Sequence, residues 1–150
     1  MSTQTALSVD LTLSLTYHHG FGALSPFLTA LQQGSLVGSR CPACGDVRFP
    51  PRRVCLHDGD ATEPHQLDST GQVIRVTVGS VPIPLSEPAQ DRIFAEIAVD
   101  GTNNRVLARL SGDPTLLKRG ARVRLVPPST TKPPHPIQAL IFEPIEGTLT

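Results

Sequence analysis

Tryptophan is absent from this 150-residue chain, and aromatic residues make up only 4 % of it. A protein that holds single-stranded nucleic acid by stacking bases on rings would have few platforms here. Excess charge is missing as well, because thirteen Lys and Arg balance thirteen Asp and Glu. That balance argues against phosphate-backbone binding as the main driving force, and leaves only a local basic patch open. No apolar run approaches the roughly 18 residues of a membrane-spanning helix. The opening stretch Met1 to Leu15 carries Ser, Thr and one acid but no basic start, so it resembles neither a secretory leader nor an anchor and the expected compartment is the cytoplasm. Cysteine is scarce too: three residues, an odd number, argue against a disulfide framework. The Gly-x-Ser-x-Gly elbow, the P-loop, Gly-x-Gly-x-x-Gly and His-Glu-x-x-His are all lacking.

What is present is punctuation. Fifteen prolines and twelve glycines separate short patterned stretches, in a length that suits one domain or a small module joined to another. Residues 1–24 read as an N-terminal arm in which Leu11, Leu13 and Leu15 alternate briefly. Ser25-Pro26 opens a helix from Ser25 to Gln33, with Phe27, Leu28 and Leu31 on one side and Gly34 as its stop. A helix of two turns is marginal alone and must dock, so 25–35 is a docking segment.

Residues 36–66 are rich in Cys, Pro and Arg, and 67–146 read as short strands before a tail at 147–150. Strands are expected at Gln72 to Val78, Ile93 to Val99, Arg105 to Leu110, Arg122 to Val126 and Ile137 to Glu143. The second and third form a hairpin over Asp100-Gly101, and Leu116 to Gly120 has the pattern of one helical turn. The proline-rich segments Val81 to Arg92 and Pro127 to Pro136 read as semi-rigid, extended connections. The fold class is mainly β: a short N-terminal helix, a ribbon-like module and a small barrel or sandwich. No internal repeat stands out.

The three cysteines carry the chemistry. Cys41-Pro42-Ala43-Cys44-Gly45 is a knuckle that aims two thiolates at one metal, and Cys55-Leu56-His57-Asp58-Gly59 follows ten residues later. A complete ribbon would place its fourth thiolate at position 58, which is Asp58. Zinc accepts carboxylate and imidazole as well as thiolate, so Asp58, which keeps the spacing, and His57, the better donor type, are both candidates for the fourth ligand. The competing reading is a ribbon without metal, held by Val47, Phe49, Val54 and the Pro50-Pro51 pair. Three thiolates would weaken zinc as a Lewis acid, so any zinc is structural by default.

Arg40, Arg48, Arg52 and Arg53 surround these cysteines, with Asp46 as the one acid from 40 to 53. They either offset thiolate and carboxylate charge or clamp a phosphate, since guanidinium forks bind such groups bidentately. Tyr17-His18-His19-Gly20-Phe21-Gly22 has no acidic neighbour and reads as a docking or capping element.

The succession Leu31-Gln32-Gln33-Gly34-Ser35-Leu36, Arg40-Cys41-Pro42-Ala43-Cys44-Gly45, Phe49-Pro50-Pro51-Arg52, Cys55 and Gly71-Gln72-Val73 resembles the acyl-CoA-associated zinc-ribbon plus OB-fold family. The resemblance spans about 17 to 145 and implies a rubredoxin-like ribbon followed by an OB-fold barrel. It further implies a non-catalytic accessory subunit that assembles with a thiolase, a lipid-transfer-protein-type aldolase, an acyltransferase or an acyl-CoA hydratase, in lipid or steroid metabolism. By the same resemblance Cys41, Cys44 and Cys55 take the first three metal positions, Asp58 departs from the fourth, and the helix packs between partner and ribbon. Arg52 and Arg53 are candidates for contacting the phosphates of an acyl-CoA. Two other functions compete: a single-stranded nucleic-acid-binding OB-fold protein, and a small free-standing zinc hydrolase.

Overall fold

The computed structural model describes residues 8–81, 90–112, 117–127 and 135–145. From residue 8 to 21 the chain has no regular secondary structure, and Val9, Leu11, Leu13 and Leu15 are 76–93 % exposed. A 3-10 turn, Gly22–Leu24, leads into helix α1, Ser25–Gln32. Pro26 sits in the first turn, where the N–H it lacks would have no partner. The other end closes at Gly34, whose φ of 78° suits glycine, with Gly34 N donating to Leu31 O and Ser35 N to Ala30 O.

The buried side of α1, comprising Phe27, Leu28, Ala30 and Leu31, packs on the first strand of a three-stranded sheet. That sheet has the order β2-β1-β3, from β1 Leu36–Arg40, β2 Val47–Arg48 and β3 Glu63–Leu67. Strand β3 thus ends one residue beyond the expected boundary at 66. Gly38 is required in β1: a Cβ there would lie 2.5 Å from the Arg48 carbonyl oxygen.

Five further strands close a barrel: β4 Thr70–Val81, β5 Gln90–Val99, β6 Val106–Leu110, β7 Arg122–Leu125 and β8 Ile141–Pro144. Their order is β4-β5-β6-β8-β7, with β6 and β8 parallel and β7 returning to β4. First, second, third, fifth, fourth is the OB-fold order. A register shift between Val73 and Arg75 lets β4 pair with β7 through Thr70, Gly71 and Gln72 and with β5 along its length. Arg122 of β7 grips Asp100 through both terminal guanidinium nitrogens, and this contact holds the Asp100 carboxyl below its ordinary range.

The expected hairpin of β5 and β6 is present, with Ile97 opposite Val106. Three expectations need correction. Residues Pro136–Ala139 form a 3-10 turn and the final strand begins only at Ile141, because the His135 ring accepts from Ile137 N and Pro136 starts the turn. Lys118 to Ala121 is a tight turn around Gly120, φ 89°, closed by Ala121 N donating to Lys118 O, and Leu116 lies outside the described residues. Val81, Gln90, Asp91 and Arg92 belong to strands rather than to a connection, the last three pairing with Val81, Ser80 and Gly79. The rest of that connection, 82–89, most of the other, 128–134, the segment 1–7 and the tail at 147–150 lie outside the described residues.

One continuous core joins the parts. Phe27, Leu31, Leu36, Phe49 and Leu67 are contiguous with Val73, Ile97, Val123 and Phe142 of the barrel. Phe27 meets Phe49 edge to face at 5.6 Å. Helix α1 also packs on the Pro136–Ala139 turn, so it sits between this chain's own ribbon and barrel.

Candidate metal centre

Two hairpin knuckles project from the small sheet. The first runs from Cys41 to Asp46 between β1 and β2, and the second from Cys55 to Asp60 ahead of β3. They are built alike. Cys41 N donates to Asp46 O at 2.9 Å, and Cys55 N to Asp60 O at 2.8 Å. Gly45 N donates to Cys41 O and Gly59 N to Cys55 O, with both glycines near φ 75–78°. The N–H of Asp46 donates to the Cys44 sulfur, and the N–H of Asp60 to Asp58 Oδ1 at 3.0 Å. Asp58 therefore stands where a second Cys44 would stand. Written out, the repeat is Cys-x-x-Cys-Gly-Asp followed by Cys-x-x-Asp-Gly-Asp. This short repeat was legible in the sequence and obscured by the change of the fourth residue.

The two knuckles face each other. The donor atoms of Cys41, Cys44, Cys55 and Asp58 all lie within 4.8 Å of one another. Cys44 Sγ is 3.5 Å from Cys55 Sγ, and the Cys41 thiol approaches Asp58 Oδ2 at 3.3 Å and Oδ1 at 3.6 Å. Around tetrahedral zinc with Zn–S about 2.3 Å and Zn–O about 2.0–2.2 Å, sulfurs lie about 3.8 Å apart and sulfur and oxygen about 3.5 Å apart. The donor set and spacing fit, and this cluster could hold zinc.

Electrostatics follow from the crowding. The Asp60 N–H, then the Cys55 thiol, hold the Asp58 carboxyl down at about 2. At Cys44 the Asp46 N–H works downward, but burial and the neighbouring Cys55, Cys41 and Asp58 outweigh it and push the thiol up to about 12. Such a group of thiols favours the thiolate form only once a cation neutralises it.

His57, the other fourth-ligand candidate, lies outside the four-donor group. Its side chain is 62 % exposed and its Nε2 stands 4.0 Å from Asp46 Oδ2. Its backbone N–H donates to Cys55 Sγ at 3.4 Å, a second-knuckle contact that orients the sulfur. Arg48 pairs with Asp46 at 2.7 Å, which raises its guanidinium further above its ordinary range. That contact is the carboxylate-pairing option for this arginine.

Arg52 and Arg53 lie on the other side of the ribbon. With Pro26, Phe27, Ser39 and Thr62 they line a cleft of about 270 Å³ between α1 and the sheet. Their backbones are fixed there: Arg52 N donates to Ser39 Oγ at 2.9 Å, Thr62 Oγ1 donates to Arg52 O, and Thr62 N to Arg53 O. Both side chains are exposed. The Tyr17–Phe21 cluster docks rather than ligates: Tyr17, His19, Phe21 and His135 follow one another at ring distances of 6.0, 5.0 and 5.2 Å.

Sequence reasoning missed Asn103 and Asn104. They sit in the β5–β6 turn of the barrel and clamp the ribbon edge. Val47 N donates to Asn103 Oδ1 at 2.8 Å, Phe49 N to Asn104 Oδ1 at 3.0 Å, and Asn104 Nδ2 to Phe49 O at 2.7 Å.

The fold and the site define the class: a zinc ribbon with a three-thiolate, one-carboxylate donor set, joined to an OB-type barrel. Residues 28–63 match the family model of the ChsH2 rubredoxin-like zinc ribbon domain. Among solved structures, the Ltp2–ChsH2 (DUF35) aldolase is similar, with 26 % identity and a TM-score of 0.60 over 81 % of this chain and 93 % of that chain. A DUF35-family protein of unknown function from Sulfolobus solfataricus shares the fold, with 21 % identity and a TM-score of 0.59 over 86 % of this chain and 90 % of that one. No curated protein matches the chain. The ribbon segment is thus similar to ChsH2-type zinc ribbons, and the chain shares its fold with DUF35 structures. Among the described residues, no helix is long and apolar enough to cross a membrane.

Proposed function

We propose that this chain is a non-catalytic accessory subunit that assembles with a thiolase-fold enzyme acting on CoA thioesters, in the first instance an aldolase of the lipid-transfer-protein type. The carrying observation is the likeness to the Ltp2–ChsH2 (DUF35) aldolase, which extends through ribbon and barrel alike. In this reading Cys41, Cys44, Cys55 and Asp58 hold a structural zinc, and the cleft beside Arg52 and Arg53 contributes to an acyl-CoA site completed by the partner. Four protein donors around one point leave no position for a reactive water, which speaks against the free-standing zinc hydrolase.

Co-expression with a thiolase-fold aldolase subunit tests the reading. A stable hetero-oligomer on size-exclusion chromatography, with cleavage of a CoA thioester by the complex and none by this chain alone, is the expected result. A chain that stays monomeric beside such a subunit, or that turns over the thioester unaided, would overturn it. In a complex that forms, Arg52→Ala with Arg53→Ala should weaken acyl-CoA binding, and unchanged affinity would remove those two residues from the site.

A further inference from the structure

The outward face of β5 and β6 carries a charge that the balanced composition of the chain conceals. Arg92, Phe94 and Glu96 on β5, and Leu107 and Arg109 on β6, alternate with the core residues Ala95, Ile97, Val106 and Ala108 and so point away from the barrel interior. Glu96 is engaged by Arg105 at 3.3 Å and Arg75 at 3.7 Å. Arg92 and Arg109 instead line a cavity of about 400 Å³ together with Phe94, Leu107, Ile137 and Leu140, and among the described residues no carboxylate belongs to its lining. Gly79, opposite Arg92 on β4, adds no side chain. Arg92 Nε is buried and has no hydrogen-bond partner among the described residues. A buried donor without an acceptor costs folding free energy, and such groups are rare enough to call for a reason.

We propose that this cavity binds a small organic phosphate bearing one flat ring, of the mononucleotide type. The phosphate oxygens accept from the guanidiniums of Arg92 and Arg109, a charge-assisted pairing that supplies the acceptor Arg92 Nε does not find among the described residues. The ring lies on Phe94, against the apolar wall of Leu107, Ile137 and Leu140. The volume falls within the range of about 300–1,000 Å³ usual for small-ligand pockets. The second and third strands of an OB barrel are also the face on which such barrels receive ligands. A nucleic-acid strand needs a row of stacking platforms, whereas the cavity offers one ring, so a single nucleotide unit fits the site better. The site is separate from the Arg52 and Arg53 cleft and stands whether or not the chain is an accessory subunit.

Calorimetric titration of the full chain with ADP tests the proposal, with adenosine, pyrophosphate and an oligothymidylate as comparators. ADP should bind, while adenosine and pyrophosphate should each bind about tenfold more weakly or worse, one lacking the anion and the other the ring. Arg92→Ala and Arg109→Ala should each weaken ADP about tenfold, and Arg119→Ala, outside the cavity, should not. Arg109 is exposed, so its variant keeps the test decisive even if Arg92→Ala fails to fold. Absent ADP binding, or unchanged binding in Arg109→Ala, would overturn the proposal. Pyrophosphate binding as tightly as ADP would overturn the ring contact, and an oligothymidylate binding more tightly than ADP would replace the mononucleotide with a strand.

Discussion

Asp58 shows how one side chain can change while its backbone setting stays. The Asp60 N–H reaches its Oδ1 just as the Asp46 N–H reaches the Cys44 sulfur, so the loop that presents the donor is the same in both knuckles. A carboxylate extends one bond further than a thiolate and offers oxygen at a shorter metal distance, and the two differences partly offset each other. Net donor charge is unchanged when all four groups are ionised. Asp58→Cys should therefore retain the fold and hold zinc against a chelator at least as well as the wild type. Asp58→Ala leaves three thiolates and should release zinc roughly 10–100-fold more readily, the scale on which even outer partners of metal ligands act. Competition of each purified variant against a chromophoric chelator checks both. Equal retention by Asp58→Ala and wild type would show that the carboxylate does not bind the metal. His57→Ala should leave retention unchanged, because its imidazole stands outside the donor group.

At the scale of elements, legibility followed how local the determining contacts are. Helix α1 was readable because Ser25-Pro26 and Gly34 mark both ends, and the β5–β6 hairpin because Asp100-Gly101 separates two alternating runs. Ile137, Ala139 and Ile141 mimic strand alternation, but the contact of the His135 ring with Ile137 N and the placement of Pro136 fix a 3-10 turn instead. Three of the four donors were visible as cysteines, and the fourth was narrowed to two neighbours that only the facing of the knuckles separates. Asn103 and Asn104 were not legible at all. In sequence they are ordinary turn residues, and their partners Val47 and Phe49 lie some 55 positions away, in a different module. Asn104→Ala would strip the Phe49 N–H and C=O of their partners at 3.0 and 2.7 Å, at a cost of roughly 1–3 kcal/mol for buried backbone groups left unpaired. Chemical denaturation should show that loss. Asn104→Asp, which keeps the acceptor for Phe49 N but loses the donor to Phe49 O, should fall between the two.

Across the whole molecule, the metal site and the barrel are coupled through a shared core rather than joined by a tether. A ribbon of this length has too little interior to be stable alone and ordinarily leans on its metal. Here it also leans on the barrel: Phe49 packs against Phe27, both are contiguous with Leu36 and Leu67, and that cluster continues into Val73 and Phe142. Loss of zinc should therefore weaken the entire chain instead of melting the ribbon in isolation. Withdrawal of the metal by a chelator should lower a single cooperative melting transition, by about 2–4 °C for each kcal/mol of metal-derived stability in a chain near this size. Amide protection at buried barrel positions such as Val73 and Val123 should fall in the same step, because their opening then requires the same global event. Two separated transitions, with the barrel melting at an unchanged temperature, would mean that the Asn103 and Asn104 clamp and the Phe27–Phe49 contact carry no coupling free energy. The helix would then belong energetically to the ribbon alone, despite its packing on the Pro136–Ala139 turn.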